Sequence, residues 1–208
     1  MQMFTSWFFV YITILLLYNV SPSVSFVITA KNTVKNKSLK IGISTSLGVA
    51  TANCLFAVIG FLFCFSLNKN KVMFQYYQIL GMSYLLYTGI KMLTTKIETN
   101  FTKNTQLISI KTFEAYKDGF FYTSSNVSIA ITIISLISQF YHYIDRWYLH
   151  LICLFCVPCI SFLSSIIIVC CYFLKLWWLY DKYAILIDKI VGFVIILLAT
   201  TNVKSILG

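Results

Sequence analysis

The chain has 208 residues, of which 59% are hydrophobic and only 11% are charged, and its formal net charge is +10. Its mean hydropathy of +0.83 excludes an ordinary soluble domain. The basic residues lie between apolar segments and do not form a basic face on a folded module, so we expect no nucleic-acid partner.

Six apolar segments are long enough to cross a bilayer, which requires about 20 mainly apolar residues. They are residues 4–29, 41–67, 73–93, 118–141, 147–174 and 183–207. These segments occupy most of the chain and leave no room for a separate soluble domain. The sequence therefore predicts an all-α integral membrane protein, a single transporter domain over residues 1–208 with about six transmembrane helices in the lipid bilayer.

The Lys and Arg residues predict how these helices are oriented. If there are six spans, twelve of the 16 basic residues fall in alternate connections and four fall on the other side. Cytoplasmic connections are enriched in Lys and Arg, so we expect residues 31–40, 91–117 and 175–189 in the cytoplasm and both termini outside. The expected location is the cytoplasmic (inner) membrane, with several passes.

The first segment is interrupted by the polar sequence YNVSPSVS at residues 18–25. Pro22 removes a backbone donor and crowds the carbonyl four residues earlier, which frees polar groups that need other partners. An interruption of this kind, inside an apolar segment, indicates a binding site.

The second segment carries one helical face of small residues. Its members are Gly42, Ser46, Ala50, Asn53, Ala57 and Gly60. A face of this kind favours close packing of two helices, and Asn53 can hydrogen-bond across the contact.

Polar side chains also follow one face of the fourth segment. They are Ser125, Ser128, Thr132, Ser135 and Gln139. Hydroxyls can bond to carbonyls of their own helix, so the stripe fits either helix packing or a partly hydrated transport path.

The tripeptide Asn19-Val20-Ser21 recurs as Asn126-Val127-Ser128, so each half of the chain opens with an interrupted segment. Transporters often contain two inverted repeats whose interrupted helices meet near the middle of the bilayer. We predict two inverted three-helix repeats, at about 1–93 and 118–208, joined by a cytoplasmic connection at about 94–117.

This arrangement predicts a substrate site at the two interruptions. Its expected members are Asn19, Ser21, Pro22, Ser23, Asn126 and Ser128, with Gln139 farther along the path. Ser161 lies outside both interruptions, so we expect its replacement by alanine to have a mild effect.

All seven cysteines lie inside apolar segments, which argues against a disulfide framework. Cys156-Val157-Pro158-Cys159 leaves open a second function, a membrane thiol oxidoreductase or a metal-ion exporter that uses Cys156 and Cys159. A purely structural subunit is a third alternative. Cysteine is also an ordinary small apolar residue in helices.

Several motifs resemble those of the LysE/RhtB-type amino-acid exporters, and the resemblance covers almost the whole chain. The sequences that carry it are Ser21-Pro22-Ser23-Val24, the basic stretch Lys31–Lys40, Gly42 to Gly48, Leu80-Gly81-Met82-Ser83-Tyr84-Leu85-Leu86-Tyr87-Thr88-Gly89, Phe113-x5-Gly119, Asn126-Val127-Ser128, Gln139-Phe140 and Asp188-Lys189-Ile190-Val191-Gly192. Of the family's site residues, Pro22, Asn126 and Gln139 carry over. The chain departs from the motifs at Ser23, Val24, Ser25 and Val127.

The resemblance implies a secondary transporter that exports amino acids or related small metabolites and is driven by the proton-motive force. Its partners would be a zwitterionic substrate, protons and the bilayer. It implies no enzymatic activity, no cofactor, no bound metal and no catalytic residue. Assembly into a homo-oligomer stays open.

Overall fold

A computed structural model of the chain describes residues 2–20, 24–94, 110–141, 147–174 and 176–207. Over these residues the chain forms eight helices and no strand, which confirms the prediction of an all-α protein. The helices are α1 (Gln2–Val20), α2 (Val24–Asn36), α3 (Leu39–Leu67), α4 (Lys71–Thr94), α5 (Thr112–Ser124), α6 (Val127–Tyr141), α7 (Trp147–Phe173) and α8 (Trp177–Leu207).

Two of the described helical segments, Leu39–Leu67 and Leu149–Phe173, are long and apolar enough to cross a membrane. The bent pair formed by Thr112–Ser124 and Val127–Tyr141 makes a third crossing if it counts as one span. The six-span arrangement is therefore not confirmed as a whole. Crossings at the remaining segments stay predictions: residues 4–29, 73–93 and 183–207.

The predicted interruption of the fourth segment is a bend of 68° between α5 and α6. Helix α5 begins at Thr112, earlier than residue 118, because Glu114 Oε2 accepts a hydrogen bond from the Lys111 backbone N–H and so caps the helix start. The corresponding interruption in the first half separates α1 from α2, and residues 21–23 themselves lie outside the described residues.

The small-residue face of α3 is buried along its whole length, as predicted. A Cβ at Gly42 would lie 2.8 Å from a methyl group of Val169, and Asn53 Nδ2 donates a 2.8 Å hydrogen bond to Ser161 Oγ. Residue numbers rise along α3 as they fall along α7, so the two helices are antiparallel. The prediction that Asn53 bonds across a helix contact is confirmed.

Helices α4 and α8 also approach each other closely. A Cβ at Gly89 would lie 2.8 Å from the Gly192 carbonyl oxygen, and a Cβ at Gly192 would lie 2.8 Å from the Gly89 carbonyl oxygen. The absence of side chains at both positions lets the two backbones touch. Each half of the chain therefore has two shorter helices followed by two long ones, and corresponding long helices pack against each other.

The connections lie at two opposite ends of this bundle. At one end the Ile110 N–H donates to Asn36 Oδ1 at 3.0 Å, and Ser44 Oγ donates to the Thr112 carbonyl at 2.6 Å. At the other end Tyr141 packs in one cluster with Cys64 and Phe74, next to the α3–α4 turn. The basic stretch 31–40 and the start of α5 thus share one end.

The main hydrophobic core joins α1 to five other helices, α3, α4, α6, α7 and α8. Tyr11, Leu85, Leu136, Val157 and Ile195, one from each of α1, α4, α6, α7 and α8, are at most 2% exposed. Burial of such side chains supplies the non-directional part of the packing, and polar contacts fix where the helices cross.

Candidate functional site

The two helix interruptions lie side by side and run in opposite directions. Ser25, just after the first interruption, has its hydroxyl 3.2 Å from that of Thr123, just before the second. The Tyr18 side chain, just before the first interruption, lies next to that of Thr132, which follows the second. Helix α2 therefore pairs with α5 and α1 with α6, the crossed arrangement expected of inverted segments.

A chain of hydrogen bonds joins the end of α1 to the middle of the bundle. Asn53 Nδ2 donates to Ser161 Oγ at 2.8 Å, and the Ser161 hydroxyl donates to Asn19 Oδ1 at 2.9 Å. Asn19 Nδ2 in turn donates to the Leu15 carbonyl at 2.8 Å. The network spans α1, α3 and α7, and Ser161 at its centre is 0% exposed.

The structure places Ser161 beside a predicted site residue, which its position outside both interruptions did not indicate. Its hydroxyl bonds directly to Asn19, one of the predicted site residues. The residue comes from α7, which has no polar interruption of its own, and sequence spacing could not reveal that its hydroxyl faces the end of α1.

Asn126 starts α6, where its side chain caps the helix. Asn126 Oδ1 accepts hydrogen bonds from the backbone N–H groups of Ser128 at 3.0 Å and Ile129 at 3.3 Å. This satisfies donors that the first helical turn leaves without partners, the usual role of an N-cap asparagine. The half-buried side chain still has its Nδ2 group without a hydrogen bond in the described structure.

Ser128 lies in the first turn of α6 and contacts α4. The Tyr84 hydroxyl donates to Ser128 Oγ at 2.9 Å, and the Thr132 hydroxyl donates to the Ser128 carbonyl at 2.8 Å. Tyr84 is half-buried, whereas Ser128 is exposed. Tyr84 therefore joins the candidate residues; the sequence showed it only as one aromatic residue of a motif in α4.

The structure does not bring Gln139 to the interruptions. It lies eleven residues beyond Ser128, about 16 Å along the helix axis, and its Nε2 donates to the Gln78 carbonyl of α4 at 3.1 Å. Gln78 Nε2 donates back to the Ser138 carbonyl at 3.2 Å. The pair joins α4 to α6, and the buried Gln139 Oε1 has no hydrogen-bond partner among the residues that the structure describes.

The part of the polar stripe near the C-terminal end of α6 packs against α4. A Cβ at Gly81 would lie 3.3 Å from Ser135 Cβ and 3.3 Å from Ser138 Oγ. Thr132, Ser135 and Gln139 are each at most 3% exposed, whereas Ser125 and Ser128 are exposed. Helix packing therefore accounts for the buried members, and a hydrated path is left only for the two residues at the bend.

A second residue that the sequence did not single out is Asp118 on α5. Its half-buried carboxylate accepts a hydrogen bond of 3.4 Å from Asn32 Nδ2, which also donates to Thr45 Oγ1 at 3.2 Å. Asn32 itself is 4% exposed. An acidic side chain within a membrane-spanning segment costs free energy, and the acidic residues found there usually have a function. Asp118 therefore joins the candidate residues.

An aromatic pocket occupies the opposite side of the interruptions. It is a partly open cavity of about 20 Å³ between α1, α3, α6 and α7, with Tyr11, Phe61, Phe140 and His150 among its lining residues. The His150 ring stacks on Tyr141 with centroids 4.5 Å apart. The pocket is mainly apolar, so it offers little hydrogen bonding to a polar solute.

The cysteines of the second hypothesis form no preorganised centre. All seven are free, with Cys159 exposed and Cys156 half-buried. Within the described ranges no group of three or more His, Cys, Asp or Glu side chains could hold a metal ion. Helix α7 thus gives the thiol and metal-export alternatives no additional support.

Comparison with known proteins gives one match. The sequence model of the family described as LysE type translocator matches residues 16–204 of the 208. No curated protein and no solved structure is significantly similar to the chain. The matched region includes both interruptions and runs nearly to the end of α8.

Proposed function

The chain belongs to the LysE type translocator family, and from this premise we propose that it exports amino acids or related small zwitterions. Translocators move small molecules through membranes, so the chain is a membrane transport protein. The finer proposal adds the amino-acid substrate, the cytoplasmic membrane and the proton-motive force as the driving force.

The crossed contact between the two interruptions is the observation that carries this proposal. The Ser25–Thr123 and Tyr18–Thr132 pairs bring one broken helix from each half of the chain together. Broken helices meeting in this way supply free backbone groups and uncharged polar side chains inside an apolar bundle. That combination suits a small solute whose two charges must both be satisfied away from water.

Each end of a zwitterion has a suitable partner at this contact. The Asn126 Nδ2 group has no hydrogen-bond partner among the described residues and lies at the N-terminus of α6, where partial positive charge favours a carboxylate. The acceptor-rich network of Asn19 and Asn53 lies next to the other interruption. We include Ser21, Pro22, Ser23 and Ser128 in the proposed site, with Gln139 in a packing contact beyond it.

Proton coupling needs a titratable group, and we assign this role to Asp118. Its only hydrogen bond in the described structure is with Asn32. The described basic residues on the helices that pack against it, Lys31 and Lys35 on α2 and Lys40 on α3, form no ion pair with it.

The orientation follows from the basic connections. The stretch 31–40 and the start of α5 share one end of the bundle, which supports placing both in the cytoplasm. Under this orientation Asp118 lies on the cytoplasmic side of the interruptions and the aromatic pocket on the outer side. Two inverted repeats, about 1–93 and 118–208, account for this arrangement.

Transport by the purified chain in liposomes tests the proposal. Vesicles loaded with an unlabelled amino acid should take up the same labelled amino acid by counterflow, and a pH gradient should drive net movement. Asp118→Asn should keep counterflow but lose the response to the pH gradient, whereas Glu114→Gln, which retains the capping oxygen, should keep both. The absence of counterflow with every amino acid tried would refute the proposed function.

A further inference from the structure

The strongest unexplained feature of the site is the Asn53 side chain. It is 2% exposed, and its Oδ1 atom has no hydrogen-bond partner in the described structure. Buried polar atoms nearly always have a partner, and those that lack one call for an explanation. The other atom of the same amide, Asn53 Nδ2, belongs to the hydrogen-bond network that reaches Asn19 at the end of α1.

Chemistry fixes which atom of Asn53 is left over. The Leu15 carbonyl can only accept, so the Asn19 atom facing it is Nδ2 and Asn19 Oδ1 faces Ser161. The Ser161 hydroxyl therefore donates its single proton to Asn19. The Asn53 atom that faces Ser161 then has to be the donor, Nδ2. The remaining atom is an acceptor whatever the initial assignment of the amide.

A buried acceptor of this kind selects a ligand that donates. An ammonium group offers three N–H donors, whereas a carboxylate offers none. Every partner of Asn53, Ser161 and Asn19 in the described network is uncharged, so the site has no fixed negative charge of its own there. A free cation would bring an uncompensated charge into this region, and a zwitterion would not.

We infer that Asn53 is a specificity-determining residue whose Oδ1 accepts a hydrogen bond from the protonated amino group of the substrate. The substrate class is then net-neutral amino acids, in preference to carboxylic acids without an amine and to basic amino acids. The inference rests on the proposed export function. It assigns Ser161 and Asn19 as positioning residues that hold the Asn53 amide in one orientation.

Competition in liposomes containing the full chain tests this assignment. Labelled alanine counterflow is measured against unlabelled alanine, against propionate, which lacks the amine, and against lysine, which carries an extra charge. A hydrogen bond to a charged group is worth about 10- to 100-fold in affinity, so propionate should compete at least tenfold more weakly than alanine. Asn53→Leu should weaken the competition by unlabelled alanine by a similar factor and leave the competition by propionate unchanged. The preference for alanine over propionate should therefore disappear.

Two further variants keep the test decisive. Gln78→Leu removes another buried amide, on α4, and should leave the alanine-to-propionate ratio as in the unmodified chain. If Asn53→Leu does not elute as a folded species in detergent, Asn53→Ser replaces it. Its shorter side chain keeps a polar hydroxyl but removes the Oδ1 atom proposed to accept from the substrate, so it should also reduce the ratio.

The outcomes separate this inference from the proposed function. Counterflow that is absent for every amino acid refutes amino-acid export itself. Counterflow that is present, with the same alanine-to-propionate ratio in the Asn53 variant as in the unmodified chain, overturns the role of Asn53 alone. Lysine competing as well as alanine would overturn the preference for net-neutral substrates.

Discussion

Asn126 has two roles in the proposed site, and the right substitution separates them. Its Oδ1 caps α6 through the Ser128 and Ile129 N–H groups, whereas its Nδ2 group is available to a substrate carboxylate. Asn126→Ala removes both functions. Asn126→Asp keeps an oxygen for the cap but loses the amide donor and adds a negative charge where the carboxylate should bind.

The two substitutions should affect stability differently. Loss of the cap in Asn126→Ala should lower the free energy of unfolding by about 1 kcal/mol. Asn126→Asp should unfold at the same temperature as the unmodified chain or slightly higher, because a negative charge near a helix N-terminus is stabilising. Its KM for the amino acid should rise about 10- to 100-fold, since a hydrogen bond to the carboxylate is replaced by repulsion.

Thermal unfolding in detergent and counterflow in liposomes measure the two quantities on the same preparations. Asn126→Ser serves as the control, because serine also caps helices well but brings no charge. It should be as stable as the unmodified chain, with a KM between those of the unmodified chain and Asn126→Asp. An unchanged KM in Asn126→Asp would show that Asn126 is a capping residue only.

Three further predictions concern packing, motion and orientation. Gly119→Ala should lower the free energy of unfolding by about 1–3 kcal/mol in a thermal assay, because the new Cβ would meet the Thr45 carbonyl. Gly81→Ala should lower it less, because a Cβ at Gly81 would lie 3.3 Å from Ser135. In a cysteine-free background, oxidation of the pair Gly81→Cys/Ser135→Cys should stop counterflow until it is reduced, and oxidation of Ser25→Cys/Thr123→Cys should not. In intact cells, single cysteines that replace Lys35 and Lys111 should react only with membrane-permeant thiol reagents. A single cysteine that replaces Asn70 should also react with impermeant thiol reagents. Labelling of the cysteine at Lys111 by an impermeant reagent would contradict the orientation.

Local signals in the sequence predict the helices and the position of one break. The small-residue face of α3 has helical spacing, so the contact of Asn53 with another helix could be predicted from α3 alone. Asn126 ends one helix and starts the next through bonds to its near neighbours, which makes that bend readable from sequence. Each of these features depends on residues close together in the chain.

The remaining site residues depend on contacts between distant parts of the chain. Ser161 and Asn19 are 142 residues apart, and Tyr84 and Ser128 are 44 residues apart. The hydroxyl stripe of α6 would have the same spacing whether it faced water or Gly81 of α4. Only the packing of the helices decides between these cases, and sequence periodicity carries no information about the partner.

The close backbone contacts restrict how the protein can change access to its site. Gly48 lies against the Tyr116 carbonyl and Gly119 against the Thr45 carbonyl, so α3 of the first half and α5 of the second are interlocked. Gly89 and Gly192 join α4 and α8 in the same way. Rocking one half as a rigid body against the other would have to separate both backbone contacts at once.

Motion at the interruptions leaves both of these backbone contacts in place. Helix α6 is joined to α5 through a 68° bend, and its contacts with α4 are made by hydroxyl and amide side chains that can exchange partners. The Ser25–Thr123 pair instead joins α2 to α5, which stays on α3. We therefore expect α6, together with α1, to swing while α5 stays in place, and this is why a cross-link from α6 to α4 should block transport when one between α2 and α5 does not.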